Sequence, residues 1–251
     1  MRWLTAIPVY NEASHIHSVL SQVRRVSSEI LVVNDGSTDQ TPQRLAEEPG
    51  LRIVTHEKNR GYGAALVSAF EYALAQGFDF LVTMDCDGQH EPSRIPVLLE
   101  AMCGVDIVSG SRYLRDFRQD TPAPGDRRRI NAIITKEINE RWGLNLTDSF
   151  CGFKAYRREA LERLRITETG WGMPLQLWVQ AARQGLRIRE IGVPRVYLDP
   201  KRAFGGVLND EETRLAYYRS VLANAERDEL PPVPSATPGA LLGCESCGEC
   251  S

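Results

Sequence analysis

Two carboxylates stand one residue apart in Asp85-Cys86-Asp87-Gly88-Gln89-His90, directly after the apolar run Phe80-Leu81-Val82-Thr83-Met84. The run reads as a buried strand, so both acids fall just past a strand end. In an open α/β sheet, ligands collect at the carboxyl ends of strands. Two Asp side chains there offer hard oxygen donors suited to Mg²⁺ or Mn²⁺. Such an ion could neutralise a diphosphate as it departs. The same residue types also make an ordinary turn, so the metal reading depends on what other segments bring to the same place.

Three further segments sit at comparable junctions. Asn34-Asp35-Gly36-Ser37-Thr38-Asp39 closes the second strand-like run. Asp35 there can accept hydrogen bonds from the N–H groups of a nucleobase, Gly36 lets the chain turn, and Ser37 or Asp39 can cap the next helix. A plain, well-capped strand-to-helix turn is the other reading of these six residues. Pro8-Val9-Tyr10-Asn11-Glu12 closes the first run: Pro8 ends pairing, Tyr10 offers a ring face to a base, and Glu12 opens a helix. Asn59-Arg60-Gly61-Tyr62-Gly63-Ala64-Ala65 precedes a helix, and its two glycines suit either close packing or an anion at a helix N-terminus. It lacks the G-x-G-x-x-G spacing of a dinucleotide loop.

The elements that must position these segments alternate along the chain. Strand-like runs at 3–9, 29–34, 51–55, 78–84 and 106–109 are separated by helical segments at 12–26, 39–48, 63–76 and 92–102. Ile16, Val19, Leu20 and Val23 share one helical face, as do Ala65, Leu66, Ala69, Phe70 and Ala73. This predicts an α/β fold with a doubly wound, mostly parallel sheet flanked by helices. In the second half, a Pro-containing loop at 121–125 leads into a basic helix at 126–142 and a loop around Asp148. Helices at 157–164 and 174–184 follow, then short strands at 187–191 and 193–198, and a last helix at 210–224. Asp210 is its expected N-cap, with Glu211 and Glu212 in the favourable first turn. The domain is expected to span residues 1–228, with 229–251 a disordered, Pro-rich, Cys-containing tail.

With 251 residues, 42% hydrophobic and 25% charged, the chain can bury a substantial core. A formal net charge of −3 gives no electrostatic case for a nucleic-acid partner. No stretch approaches the roughly 20 apolar residues of a membrane span. Met1–Tyr10 contains Pro8 and runs straight into Asn11-Glu12, which reads as a first strand and not a signal peptide. A cytoplasmic protein is expected, with membrane contact at most peripheral. Cys86, Cys103 and Cys151 are then expected as reduced thiols. Cys244, Cys247 and Cys250 form a C-x-x-C-x-x-C run lacking the fourth ligand of a stable thiolate site. It reads as an adventitious metal-binding or redox-sensitive tail.

Taken in order, P-V-Y-N-E, V-V-N-D-G-S-T-D, N-R-G-Y-G-A-A, M-D-C-D-G-Q-H and G-S-R-Y closely resemble the family 2 glycosyltransferases. The likeness is nearest to the branch of dolichyl- and polyprenyl-phosphate mannosyl- and glucosyltransferases, and it covers about residues 3–225. It implies a single A-type glycosyltransferase domain, with a nucleotide-sugar-binding half at 1–112 and an acceptor half at 113–228. Carried over, Pro8, Tyr10 and Glu12 would line the nucleotide pocket and Asp35 would read the base. Asp85 and Asp87 would be the metal pair, with Gln89 beside the donor and Arg112 reaching the phosphates. Asp148-Ser149-Phe150-Cys151-Gly152-Phe153-Lys154 is similar to the family's D-x-x-x-G-F-R/K segment near the acceptor. Lys201 and Arg202 supply charge where polyprenyl-phosphate enzymes often carry a loop of Arg, Gly, Ser and Lys.

The chemistry so implied moves a hexosyl group, with inversion, from a nucleoside-diphosphate sugar to a polyprenyl phosphate or a glycan hydroxyl. A metal ion on Asp87 and Asp85 would stabilise the leaving diphosphate, and Arg112, with Lys136 or Arg202, would add fixed positive charge. A hydroxyl acceptor needs a base, for which Asp148 is the candidate; an anionic phosphate does not. Arg127-Arg128-Arg129 could meet acidic lipid heads or form a solvated basic face. The alternatives are a sugar-1-phosphate nucleotidyltransferase, which normally carries a glycine-rich basic loop where P-V-Y-N-E stands, and a non-catalytic nucleotide-sugar binder.

Overall fold

Short runs of buried aliphatic residues build seven strands: β1 (Trp3–Val9), β2 (Ile30–Asn34), β3 (Arg52–Thr55), β4 (Phe80–Thr83), β5 (Ile107–Ser111), β6 (Lys154–Arg157) and β7 (Ile188–Gly192). The computed structural model describes residues 1–198 and 206–232. All seven strands join one sheet in the order β3-β2-β1-β4-β6-β5-β7. Every residue of β2, β4 and β5 is buried, as expected of strands covered on both faces.

Between the strands lie α1 (Ile16–Val23), α2 (Thr41–Ala46), α3 (Tyr62–Ala75), α4 (Ile95–Glu100), α5 (Gly125–Trp142), α6 (Arg158–Arg163) and α7 (Met173–Arg183), and α8 (Glu211–Ala225) follows β7. Leu4, Ala6, Leu31 and Val33 point to one face of the sheet and pack with α3, α5, α7 and α8. Ile7, Val9 and Val32 point to the other, against α1 and α4. The two-residue side-chain period of a strand makes this double layer. Asp210 caps α8 as expected, accepting from Thr213 N at 2.8 Å. No helix among the described residues is long and apolar enough to cross a membrane.

The sheet is mostly parallel, as predicted, but β6 runs antiparallel to both β4 and β5. Four residues ended by Lys154 and Arg157 give no strand pattern in sequence, yet Lys154 is buried. Its reversed direction makes β6 enter at the edge where the parallel strands end, so Gly152, just before it, arrives beside Asp85.

The expected strand at 193–198 does not form. Pro194 lacks an N–H, while Arg195 N and Tyr197 N donate to Asp120 Oδ1 and Thr121 Oγ1 at 2.8 Å each, so a loop takes the ladder's bonds. Nor does Pro8 end β1: pairing with β2 continues to Val9 and Asn34, whereas pairing with β4 stops at Ala6 and Thr83. The helix expected from Glu12 begins at Ile16, because Asn11 takes a positive φ of 57° and residues 12–15 turn first.

β1 is flanked by β2 on one side and β4 on the other, so the winding reverses between β1 and β4. A crevice opens at such a switch point.

Candidate active site

A cavity of about 580 Å³ occupies that crevice. The first half of the chain lines it with Pro8, Tyr10, Glu12, Asp35, Asp85, Asp87, Gln89 and Arg112, and the second half with Arg127, Phe150, Gly152, Trp171, Tyr197, Arg214 and Tyr218 among others. Every residue expected on the nucleotide and metal side is therefore brought to one place.

Local chemistry holds the strand ends. The Asn11 side chain accepts from Thr38 N (2.8 Å) and Asp39 N (3.3 Å), and its own N–H donates to Ser37 Oγ (3.0 Å), locking the β1 turn to the β2 turn. Asp39 accepts from Thr41 N at 2.8 Å, which satisfies an orphan N–H at the start of α2. Asp35 is buried and already engaged, accepting from Arg60 N (2.9 Å), Gly61 N (2.8 Å) and His56 Nδ1 (2.6 Å). Its first task is to anchor the 59–61 turn. The second ring nitrogen of His56 meets Ser68 Oγ at 2.8 Å, a link that no sequence motif announces. The glycines of this turn serve packing: a Cβ on Gly61 (φ +103°) would come to 2.4 Å from Thr169 O, and one on Gly63 to 2.2 Å from Glu168 O.

Asp85 and Asp87 both face the cavity from the loop after β4. Tyr62 donates its hydroxyl to Asp85 Oδ1 at 2.9 Å, and Asp85 N donates to His90 Nδ1 at 3.1 Å. Asp87 accepts from Gln89 N (3.1 Å) and Gln89 Nε2 (2.8 Å), so Gln89 orients the acid as well as lining the cavity. Among the described residues no group of three or more His, Cys, Asp or Glu could hold a metal by itself. Two carboxylates facing a cavity still fit a Mg²⁺- or Mn²⁺-type ion, which ordinarily takes its other ligands from substrate phosphates and water.

Across the cavity Arg112 is gripped by Asp148, with Nε to Oδ2 at 2.6 Å and Nη2 to Oδ1 at 2.9 Å. Burial alone would raise the Asp148 pKa, but the charge and hydrogen bonds of Arg112 hold it below the usual carboxylate value. The base expected at Asp148 is thus corrected: both of its oxygens are occupied, it is fully buried, and it does not line the cavity. It orients Arg112 instead. Glu190 on β7 fixes the Asp148 loop in turn, accepting from Thr147 N (2.7 Å), Thr147 Oγ1 (2.8 Å) and Asp148 N (3.1 Å).

Other expectations fall away from the site. Lys136 lies exposed on α5, 3.7 Å from Glu140, and does not line the cavity. Lys201 and Arg202, like the cysteines of the tail, lie outside the described residues. The basic triplet divides: Arg127 lines the cavity beneath Tyr197, Arg128 is exposed, and Arg129 pairs with Glu211. Lys154 is buried below the floor, donating to Cys151 O and lying 5.2 Å from the Trp178 ring centroid. Arg214, which sequence reading passed over as one helical Arg among several, is buried at the cavity and pairs with Asp126.

The family model for glycosyl transferase family 2 matches residues 5–165. An undecaprenyl-phosphate mannosyltransferase of Micrococcus luteus is 34% identical, covering 84% of this chain and 90% of its own length. A polyprenol monophosphomannose synthase of Mycolicibacterium smegmatis is 31% identical, covering 76% of each chain. Among solved structures, glucosyl-3-phosphoglycerate synthase from Mycobacterium tuberculosis with Mn²⁺, UDP and glucosyl-3-phosphoglycerate superposes with a TM-score of 0.69. That match has 20% identity and covers 89% of this chain and 79% of the other; it shows a shared fold.

Proposed function

The chain belongs to glycosyl transferase family 2, and from that premise we propose that it transfers a hexosyl group from a nucleoside-diphosphate sugar to a polyprenyl phosphate. One observation carries the acceptor. Beyond residue 112 the described cavity lining contributes two guanidiniums, Arg127 and Arg214, and no carboxylate, with Arg112 beside them. A hydroxyl acceptor must lose a proton to a positioned base, and Asp148 is withdrawn from that role by Arg112. A phosphate monoester is already anionic near neutral pH, with a second pKa of about 6. Arginines are the side chains best shaped to bind it. The likeness to the Micrococcus undecaprenyl-phosphate mannosyltransferase and the Mycolicibacterium polyprenol monophosphomannose synthase supports the same acceptor class.

On the donor side, Pro8, Tyr10 and Glu12 form the wall for the nucleotide, and Asp35 steadies the 59–61 turn next to them. Asp85 and Asp87 would hold the divalent ion. When bound, that ion supplies Lewis-acid stabilisation of the departing diphosphate. Arg112, fixed by Asp148, offers a preorganised positive charge to the phosphates without reorganising during the reaction. An acceptor phosphate oxygen forms the new bond to the anomeric carbon as the bond to the diphosphate oxygen breaks, with inversion. No proton has to move. A lipid acceptor brings the chain to a bilayer surface as a peripheral protein, with Arg128 on the exposed side of α5.

The test is transfer of radiolabelled hexose from UDP- and GDP-sugars with Mn²⁺ or Mg²⁺, offered undecaprenyl phosphate and free glycans in parallel. Label extracted with the lipid is expected. Label found only on glycan hydroxyls would overturn the acceptor, and no transfer from any donor would overturn the reaction.

A further inference from the structure

We infer that Tyr62 is a positioning residue for the reaction, tying the carboxylate of Asp85 to the loop at 168–172 that walls the other side of the cavity. The inference rests on the functional reading above. The Tyr62 hydroxyl donates to Asp85 Oδ1 at 2.9 Å, and its ring stacks on Trp171 with centroids 5.2 Å apart and planes 17° off parallel. Tyr62 thus touches both walls: Asp85 after β4 and Trp171 in the second half, each lining the cavity.

Neighbouring groups hold Tyr62 in place on the sides away from the cavity. As the first residue of α3 it lies between Gly61 and Gly63, the two glycines whose missing side chains let the helix start sit against Thr169 O and Glu168 O. Ala64 N donates to Thr169 O at 3.2 Å. Tyr217 holds the same loop from behind, donating to Glu168 Oε1 (2.7 Å) and accepting from Gly172 N (3.0 Å). Below, a Cβ on Gly152 would come to 2.7 Å from the Tyr62 hydroxyl and 2.6 Å from Asp85 Oδ2, so the backbone there closes on the pair.

A hydroxyl on Oδ1 fixes the plane of the carboxylate, and so would hold Asp85 in place as a ligand for the ion. Partners of this kind, one bond removed from a metal, typically matter 10- to 100-fold in metal affinity or rate. Tyr62→Phe keeps the stacked ring and removes only the bond to Asp85.

The experiment measures Mn²⁺ binding by electron paramagnetic resonance, with saturating UDP or GDP present and the nucleotide alone as blank, in wild type, Tyr62→Phe and Asp85→Asn, beside thermal melting and steady-state transfer. Tyr62→Phe is expected to melt within a few degrees of wild type, bind Mn²⁺ at least 10-fold more weakly, and lose at least 10-fold in kcat with little change in acceptor KM. If wild type binds Mn²⁺, Asp85→Asn loses it and Tyr62→Phe does not, the role of Tyr62 is refuted and the functional reading stands. If wild type binds no Mn²⁺, the metal part of the functional reading falls together with this one.

Discussion

Asp148 meets Arg112 in a two-bond fork, Nε to Oδ2 at 2.6 Å and Nη2 to Oδ1 at 2.9 Å, with the carboxylate wholly shielded from solvent. A fork of this kind aims a guanidinium as well as neutralising it. Asp148→Asn keeps the shape but can accept through one oxygen only, so transfer is expected to fall 10- to 100-fold while the fold survives. Asp148→Ala leaves a partly buried guanidinium without its counter-charge, and about 3 kcal/mol of stability, the low end for a broken buried pair, should go with it. Denaturant melts of both variants beside their transfer rates check this. Equal activity in Asp148→Asn and wild type would remove Arg112 orientation from the mechanism.

The pH profile follows from the same pair. Arg112 holds the Asp148 carboxyl below its ordinary value in the folded protein, so as pH falls the unfolded chain takes up the proton first. The stabilisation is therefore complete above the unfolded value, about 3.9, and is lost as pH drops through the folded one. Near neutrality Asp148 does not titrate. The acid limb of kcat/KM should instead lie near pH 6, where a phosphate acceptor gains a proton. It should stay at that pH in Asp148→Asn. A limb that moves with this substitution would restore Asp148 as an acid–base group.

Asp35 and His56 predict a donor-side effect. Their 2.6 Å contact is buried, and the same carboxylate holds Arg60 N and Gly61 N. Asp35→Asn turns an amide toward at least one of these donors, at a cost of about 1–3 kcal/mol for the unsatisfied group. The 59–61 turn loosens, and KM for the nucleotide sugar should rise more than KM for the acceptor. His56→Ala leaves both backbone bonds in place and should raise donor KM less. Initial-rate kinetics with each substrate varied in turn would separate the two.

The first half of the chain was readable because each of its motifs is local: a strand end, a turn and the start of a helix. Asp85, Asp87, Gln89 and Tyr10 meet in the cavity simply because β1 and β4 are neighbours that end at the same edge. The second half was not, because its geometry is set by pairings distant in sequence. β6 is four residues long with a charged residue at each end, and nothing local reveals that it inserts antiparallel between β4 and β5. Without that strand the Asp148 loop has no known neighbour, so the Arg112 fork and the clamp from Glu190 stay hidden and Asp148 passes for a free base. Lys136 misled for a related reason: a basic helix was visible, but which of its faces turns inward depends on packing against α7 and α8, and the residue that turns to the cavity is Arg127.

Gly152 supplies the last prediction, and it separates a steric requirement from a conformational one. Its φ is not positive, so alanine is no strain on the backbone there. The objection to a side chain is space: the added Cβ would stand 2.6 Å and 2.8 Å from the two Asp85 oxygens and 2.7 Å from the Tyr62 hydroxyl. The neighbouring backbone has little freedom to withdraw, since Gly152 O accepts from Thr83 Oγ1 at 2.8 Å and residues from Lys154 onward are paired in the sheet. The Asp85 side chain, facing the cavity, is the part that can move. Gly152→Ala should therefore cost only about 1–3 kcal/mol of stability, the usual range for overpacking, while Mn²⁺ affinity and kcat fall at least 10-fold. Because the methyl group would act by displacing the Asp85 carboxylate, it has nothing further to remove once that carboxylate is gone: Gly152→Ala combined with Asp85→Asn should be no slower than Asp85→Asn alone. Strictly additive losses in that double variant would mean that the methyl group acts somewhere other than on Asp85.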